Sequence, residues 1–245
     1  MKNLRLVFLD CPIKNLENEE VMRIYSDVIS RKQLNFMRTK ERFVVGDKHD
    51  VLASHLCIYD VSHVYRPKLV LAIRNTYQHR AEEYGLKLPI EGWITSAGLP
   101  SLKEFERAQK IKGKLLDCNT WFVDPDYSFR KSGNALSEIG FFMACLQALR
   151  LGYDHLIGCT NEQYKASRWV SKIGPVKDVG VFDHPSLPGK HRMMFVESFY
   201  EEWLRSCAEK YGEYILNAQD ICSEANSQKS LASILACYLE KPLAA

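Results

Sequence analysis

The sequence predicts an α/β fold with a mixed sheet and a helical C-terminal extension. Three observations carry that expectation. β-rich runs alternate with amphipathic helices, an antiparallel pair of strands is legible toward each end, and one strand runs through a basic loop into a long helix. The two hairpins exclude a purely parallel, doubly wound sheet. At 245 residues the chain suits one large domain or one domain with an appendage.

Residues 4–10, Leu-Arg-Leu-Val-Phe-Leu-Asp, alternate and stop at Cys11-Pro12, as a strand does. In 19–31, Val21, Met22, Ile24, Tyr25, Val28 and Ile29 recur at helical steps, with Asn18 as the cap. Residues 51–60 and 68–75 form two apolar runs around a polar turn at Ser62, an antiparallel pair. Residues 76–113 break the rhythm with a short helix (77–84), a Pro/Gly-bearing stretch (89–100) and a charged helix (101–110), and read as an insertion or lid. A strand over 114–123 stops at Asp124-Pro125, because proline cannot donate to a ladder. The clearest helix spans 133–150, with Leu136, Ile139, Met143 and Leu146 on one face and Gly152 closing it. A buried strand (154–159), a helix (161–172) and a strand pair (177–182 and 193–198, turning at 185–189) follow. The tail from 200 reads as two amphipathic helical pieces joined near Asn226. Their apolar faces must be buried on the core or in an oligomer on a partner subunit.

Composition excludes several classes. Thirty-three Lys and Arg against 30 Asp and Glu leave +3, too balanced for a dedicated nucleic-acid-binding surface. The chain is 46% hydrophobic and 26% charged, as soluble globular proteins are. No apolar run approaches the roughly 18 residues of a membrane span. The N-terminus lacks the cleavage site of a secretory signal, so a cytoplasmic protein is expected. Eight cysteines, at 11, 57, 118, 145, 159, 207, 222 and 237, include no C-x-x-C pair. That spacing argues against zinc and disulfides and for buried thiols. The signatures of P-loop NTPases, α/β-hydrolases and zincins are missing, and no metal site is expected.

The most informative stretch runs Phe122-Val-Asp-Pro-Asp-Tyr-Ser-Phe-Arg-Lys-Ser-Gly-Asn-Ala-Leu136. Amide N–H groups at a helix start, with the macrodipole behind them, make an anion site. Gly133 permits close backbone approach, and Arg130 beside Lys131 supplies charge, so a diphosphate is the natural occupant.

Arg130-Lys-Ser-Gly133-Asn-Ala135 resembles the Arg/Gln-x-x-Gly-x-Gly/Ala signature of the GNAT acyltransferase superfamily, together with Val123, Pro125 and Tyr127 before it and Gly152 after the helix. The resemblance covers about residues 18–198. It implies a mixed, mostly antiparallel central sheet flanked by helices, in an acyltransferase domain over 1–198 (insertion 76–113), with a helical extension over 199–245. It also implies that Val123, Arg130, Lys131, Ser132, Gly133, Asn134 and Ala135 bind the donor. That donor is an acyl-coenzyme A or an acyl carrier protein (acyl-ACP), a co-substrate rather than a resident cofactor. Backbone N–H groups near Val123 would hold the oxyanion.

Asp47-Lys-His-Asp50, followed by His55, resembles the start of the same hairpin in N-acyl amino acid synthases, and acyl-homoserine-lactone synthases share the acidic pair. This implies that Asp47, Asp50 and His55 lie near an amine acceptor; a solvated turn is the other reading. The strand Leu116-Asp-Cys-Asn-Thr-Trp-Phe-Val123 stands where those families carry Glu-x-x-Arg-x-x-Val. Asp117 keeps the carboxylate and is implied to orient or deprotonate the amine, which must lose a proton before attack. Thr120 replaces the arginine, which weakens the lactone-synthase reading more than the amino-acid one. The position of the family's leaving-group acid, five residues before Gly174, holds Trp169. Tyr164, one turn earlier, is the alternative donor, or the thiolate leaves unassisted. The expected function is transfer of an acyl group to the amine of an amino acid or similar small molecule. Leu86, Leu88, Ile90 and Trp93 of the insertion would wall a channel for a long chain. Competing expectations are an acetyl-coenzyme-A-dependent N-acetyltransferase and a non-catalytic thioester-binding module.

Overall fold

The computed structural model describes residues 3–38, 47–62, 65–127, 136–164, 166–183, 189–221 and 229–239. In chain order these form β1 (Leu4–Asp10), α1 (Glu19–Arg38), β2 (Ser54–Asp60), β3 (Lys68–Tyr77), α2 (Gln78–Glu83), α3 (Glu91–Ala97), α4 (Leu99–Lys112) and β4 (Leu116–Val123). There follow α5 (Leu136–Arg150), β5 (Leu156–Asn161), α6 (Ser167–Ile173), β6 (Val176–Asp183), β7 (Lys190–Val196), α7 (Glu201–Leu216), β8 (Gln219–Ile221) and α8 (Leu231–Leu239). One open sheet takes all eight strands in the order β6-β7-β5-β4-β3-β2-β1-β8. Its neighbours are antiparallel except β1–β8 and β4–β5, the mixed, mostly antiparallel arrangement expected.

Helices cover both faces. On one, Val21, Ile24 and Val28 of α1 pack on Val7, Leu9, Cys57, Tyr59, Leu69, Ala72 and Phe122. The cap is the one the sequence indicates: Asn18 Oδ1 accepts the N–H groups of Glu20 and Val21 at 2.9 and 3.2 Å. Further along the same face the insertion packs Leu88, Ile90, Ile94 and Phe105 against Ile157, Met193 and Phe195. The opposite face carries α5, which is buried nearly all round. Leu204, Cys207 and Ile215 of α7 and Ile234 and Leu235 of α8 join the same core, so the apolar stripes of the tail are buried on the chain's own core.

Four elements differ from the sequence reading. Helix α1 runs on to Arg38; the apolar period did not mark its last turns, where Leu34 and Met37 are exposed and no longer track burial. The stretch 89–100 contains α3, and Gly98 at φ +87° separates it from α4. The helix expected over 161–172 is divided into a 3-10 turn, Glu162–Tyr164, and α6. The tail is not wholly helical, since β8 pairs with Val7, Phe8 and Leu9 in parallel. Three residues are too few to leave a period, yet they cover part of an exposed sheet edge. Among the described residues no helix is long and apolar enough to cross a membrane.

The sheet opens in its middle. Across β3–β4 the register passes from Ala72↔Phe122 to Arg74↔Asn119, so Thr120 and Trp121 together oppose Ile73. Thr120 takes φ 52°, the left-handed conformation that a G1-type bulge uses and that residues other than glycine seldom adopt. Among the described residues β4 and β5 pair at one position only, Asp117↔Ile157, whereas β5 pairs with β7 along its whole length. The two strands touch closely beside that pair, where a Cβ on Gly158 would stand 2.4 Å from the Cys118 carbonyl oxygen. Gly158→Ala must therefore push β5 off β4 and is expected to cost about 1–3 kcal/mol. A urea midpoint equal to that of the parent would contradict this.

Candidate active site

Strand register brings polar residues onto the α1 face. His55 of β2 pairs with Arg74 of β3, and Arg74 with Asn119 of β4. One step further along the same face, Thr76 pairs with Asp117, because side chains two apart share a face. All five are buried. They lie between the apolar cluster under α1 and the one under the insertion, with Asp117 at the fork where β4 and β5 part.

The turn before β2 supplies a second tier. Asp50 is fully buried and accepts from Lys32 Nζ at 2.8 and 2.9 Å and from Arg74 Nη1. The same Nη1 donates to Asp47 Oδ2 at 3.0 Å, and Arg74 Nε to Asn119 Oδ1 at 2.6 Å. Burial by itself would raise both carboxyls. For Asp50 the charges of Arg74 and Lys32 outweigh it, and for Asp47 the His49 hydrogen bond and Arg74 do. Both are held below the usual carboxylate range. Burial, with Arg74 close by, lowers the Lys32 ammonium. The acidic pair thus has its charge met inside the protein.

Asp117 differs. Its Oδ2 accepts the Ile90 N–H at 2.7 Å, but burial dominates, against Asn119 and Arg74, and pushes the carboxyl up to about 6. His55 donates Nε2–H to the Asp50 carbonyl at 2.7 Å, and burial lowers its pKa to about 4, so its ring is neutral and Nδ1 is an acceptor. Tyr25 of α1 lies over that ring, centroids 6.0 Å apart, and burial and Asp50 push its phenol up to about 12.

Four atoms on this face are buried without a hydrogen bond of good geometry: His55 Nδ1, Thr76 Oγ1, Asp117 Oδ1 and Asn119 Nδ2; the Asn119 amide lies close enough to Asp117 to favour its charged form. Asn119 orients its amide by accepting from Arg74 and Thr120 at Oδ1. Each such atom costs about 1–3 kcal/mol. Four on three adjacent strands make a site that a polar ligand would complete. Three of them can accept, which suits an ammonium with its three N–H donors.

Val123 lies beyond the bulge. Asp124 N–H donates to the Val70 carbonyl at 2.8 Å, so the alternation of an antiparallel ladder turns the Val123 N–H the other way, toward β5 and the gap. Arg130, Lys131, Ser132, Gly133, Asn134 and Ala135 lie outside the described residues, as does the Tyr164 side chain; the Tyr164 backbone ends the turn after β5. Trp169 packs against the main core with Lys172 Nζ 4.3 Å from its ring centroid. Leu88 and Ile90 are core residues, 2% and 0% exposed. Their apolar character holds the insertion on the sheet, which corrects their reading as channel lining. Burial pushes the Cys118 thiol up to about 12, as expected of a packing residue.

Sequence reasoning passed over Lys32, His49, Arg74, Thr76 and Asn119. Arg74 had a signal: a cation inside the apolar run Leu69-Val-Leu-Ala-Ile-Arg-Asn-Thr-Tyr77 must find a buried partner. Lys32 fell beyond the expected helix end.

An open mixed sheet, bulged and parted at β4–β5 and flanked by helices, is the arrangement of a GNAT-like fold. No family model matches the sequence, and no curated protein matches it, but solved structures do. The CoA-dependent acyl-homoserine lactone synthase BjaI, with SAM and isopentyl-CoA, superposes at TM-score 0.52 with 11% identity, over 85% of this chain and 90% of that one. The same synthase with MTA gives 0.51 and 10% over the same shares. FeeM, an N-acyl amino acid synthase from uncultured soil microbes, is 16% identical over 74% of this chain and 89% of its own, at TM-score 0.45. At these identities the two BjaI superpositions establish the fold.

Proposed function

We propose that this chain is an N-acyltransferase that moves an acyl group from a thioester donor, acyl-coenzyme A or acyl-ACP, to the amine of an amino acid or similar small molecule. The observation that carries the reading is the set of four unpartnered buried atoms around Asp117, at the fork of β4 and β5. The fold supports it, since BjaI is CoA-dependent and was solved with isopentyl-CoA.

The acceptor arrives as an ammonium, with Asp117 Oδ1, His55 Nδ1 and Thr76 Oγ1 to receive its N–H groups. Asp117 takes one proton, and the freed lone pair attacks the thioester carbon. An N–C bond forms, and the carbonyl becomes an oxyanion that the Val123 N–H, turned into the gap, stabilises. On collapse the C–S bond breaks, and the thiolate leaves with the second amine proton, relayed by Tyr164 or taken directly. Asp47 and Asp50 act through the cations they hold, placing Arg74 and thereby Asn119. The loop Arg130–Lys131–Ser132–Gly133–Asn134–Ala135 binds the donor phosphate.

The test incubates the protein with acetyl and long-chain donors, on coenzyme A and on carrier protein, against a pool of amino acids, with mass detection of amides. An amide product is expected, and Gly133→Glu should abolish donor binding and product together. Acetyl-only products would make it an acetyltransferase, and donor binding without turnover a binding module. No product from any donor overturns the proposal.

A further inference from the structure

We propose that the insertion is part of the acyl-transfer site: the Ile90 backbone N–H fixes one oxygen of Asp117 and leaves the other to the acceptor, which makes Ile90 a positioning residue for the proposed base. The Ile90 N–H donates to Asp117 Oδ2 at 2.7 Å, whereas Asp117 Oδ1 forms no hydrogen bond of good geometry. Both residues are fully buried, so water offers little competition for the bond.

The turn that presents this N–H is held together within the insertion. The N–H groups of Glu91, Gly92 and Trp93 donate to the carbonyls of Leu88, Pro89 and Ile90 at 3.0, 3.2 and 3.0 Å. Glu91 Oε1 accepts the Leu88 N–H at 2.8 Å, and Pro89 has no N–H to give. The Ile90 N–H is left over, and it goes to β4. The side chains of the same turn go to the other arm of the fork, where Leu88, Ile90 and Ile94 pack with Ile157 of β5 and Met193 and Phe195 of β7. The insertion therefore bridges the two strands where, among the described residues, they pair at one position only.

An N–H aimed at a carboxylate favours its ionised form. Around Asp117 the Ile90 N–H acts in that direction together with Asn119 on the same strand, Arg74 on β3 and His49 in the turn before β2, all against burial. The thiols of Cys118 on β4 and Cys159 on β5, also within electrostatic range, are kept protonated by burial. Lys32 of α1 is taken up by Asp50. Loss of the Ile90 N–H removes one of the groups that oppose burial, so the carboxyl should hold its proton more tightly and move above about 6.

The proposal rests on the acyl-transfer reading in its kinetic arm only. Replacing Ile90 by its α-hydroxy acid analogue turns the amide into an ester, which removes this N–H and keeps the side chain. The acid limb of kcat/KM for the acceptor, which reports the base of the free enzyme, should then move up by about one pH unit, as expected for losing one charge-assisted hydrogen bond. The same replacement at Glu91, whose N–H stays inside the turn, should leave the limb in place. A limb that does not move in the Ile90 ester, or that moves equally in the Glu91 ester, overturns the proposal. In wild-type protein labelled with ¹³C-aspartate and ¹⁵N, with Asp117→Asn for assignment, the Asp117 carboxyl should titrate near about 6 and the Ile90 amide proton should shift with the same midpoint. An Ile90 amide that does not follow that titration overturns the proposal even if neither ester folds. Both resonances behaving as expected, with no amide product from any donor, uphold the tether and overturn the acyl-transfer reading instead.

Discussion

Asp117→Asn is expected to slow acyl transfer by about 10²–10⁴-fold and, in the same protein, to raise stability near neutral pH. The asparagine oxygen still accepts the Ile90 N–H, so the insertion keeps its anchor. What is lost is a proton acceptor at the one carboxylate of the site that has an unpartnered oxygen. The stability effect follows from burial, which pushes this carboxyl up to about 6. The folded state then binds the proton more tightly than the unfolded chain. That contribution is complete below the ordinary aspartate value and is lost as pH rises through about 6. Above it the wild type carries a buried, half-satisfied charge that asparagine does not, a difference on the order of 1–3 kcal/mol at pH 7. Urea midpoints at pH 5 and pH 7.5 should show the variant gaining on the wild type as pH rises, and wild-type turnover should fall below about pH 6. Turnover at the wild-type rate in Asp117→Asn would remove this residue from the mechanism.

The second large effect concerns folding. Arg74→Met removes the cation shared by Asp47 and Asp50 and the donor that orients Asn119. Stranding one partner of a buried ion pair costs about 3–5 kcal/mol, or roughly 6–20 °C in Tm for a chain of this size. Because both carboxyls are held below the usual range, their contribution is in place above that range and lost as pH falls through the depressed values. The penalty should therefore shrink in acid. Asp50→Asn combined with Arg74→Met should cost less than the two single changes added, since the first removes the charge that the second strands. Additive losses would mean that the network is not coupled as its geometry implies.

Much of the framework was legible before the structure. Alternation marks β1, helical spacing marks α1 and α5, Asn18 caps α1, and Asp124-Pro125 ends β4. These signals are local, a property of neighbouring residues and the period at which they meet the core. The bulge at Thr120 was hidden because one extra residue shifts a register without changing composition. Strand β8 was hidden because its pairing with β1 comes from 212 positions away in the chain. Motif spacing names Asp117, Asp47, Asp50 and His55, and the fold brings these four to one face of the sheet. It could not tell that Asp50 is saturated by Lys32 and Arg74 while Asp117 keeps an oxygen unpartnered.

The sequence by itself therefore determined the class of fold, the order of its longer elements and, by motif spacing, four of the titratable residues that stand near one another. The tertiary structure alone decided which charges cancel, which imidazole of the site is neutral, and where unpartnered atoms collect. The reason is physical. Periodicity is written into consecutive residues, but a protonation state depends on burial and on the partner within about 3 Å. Here those partners come from a helix, three strands and an insertion that meet only when the sheet closes over them.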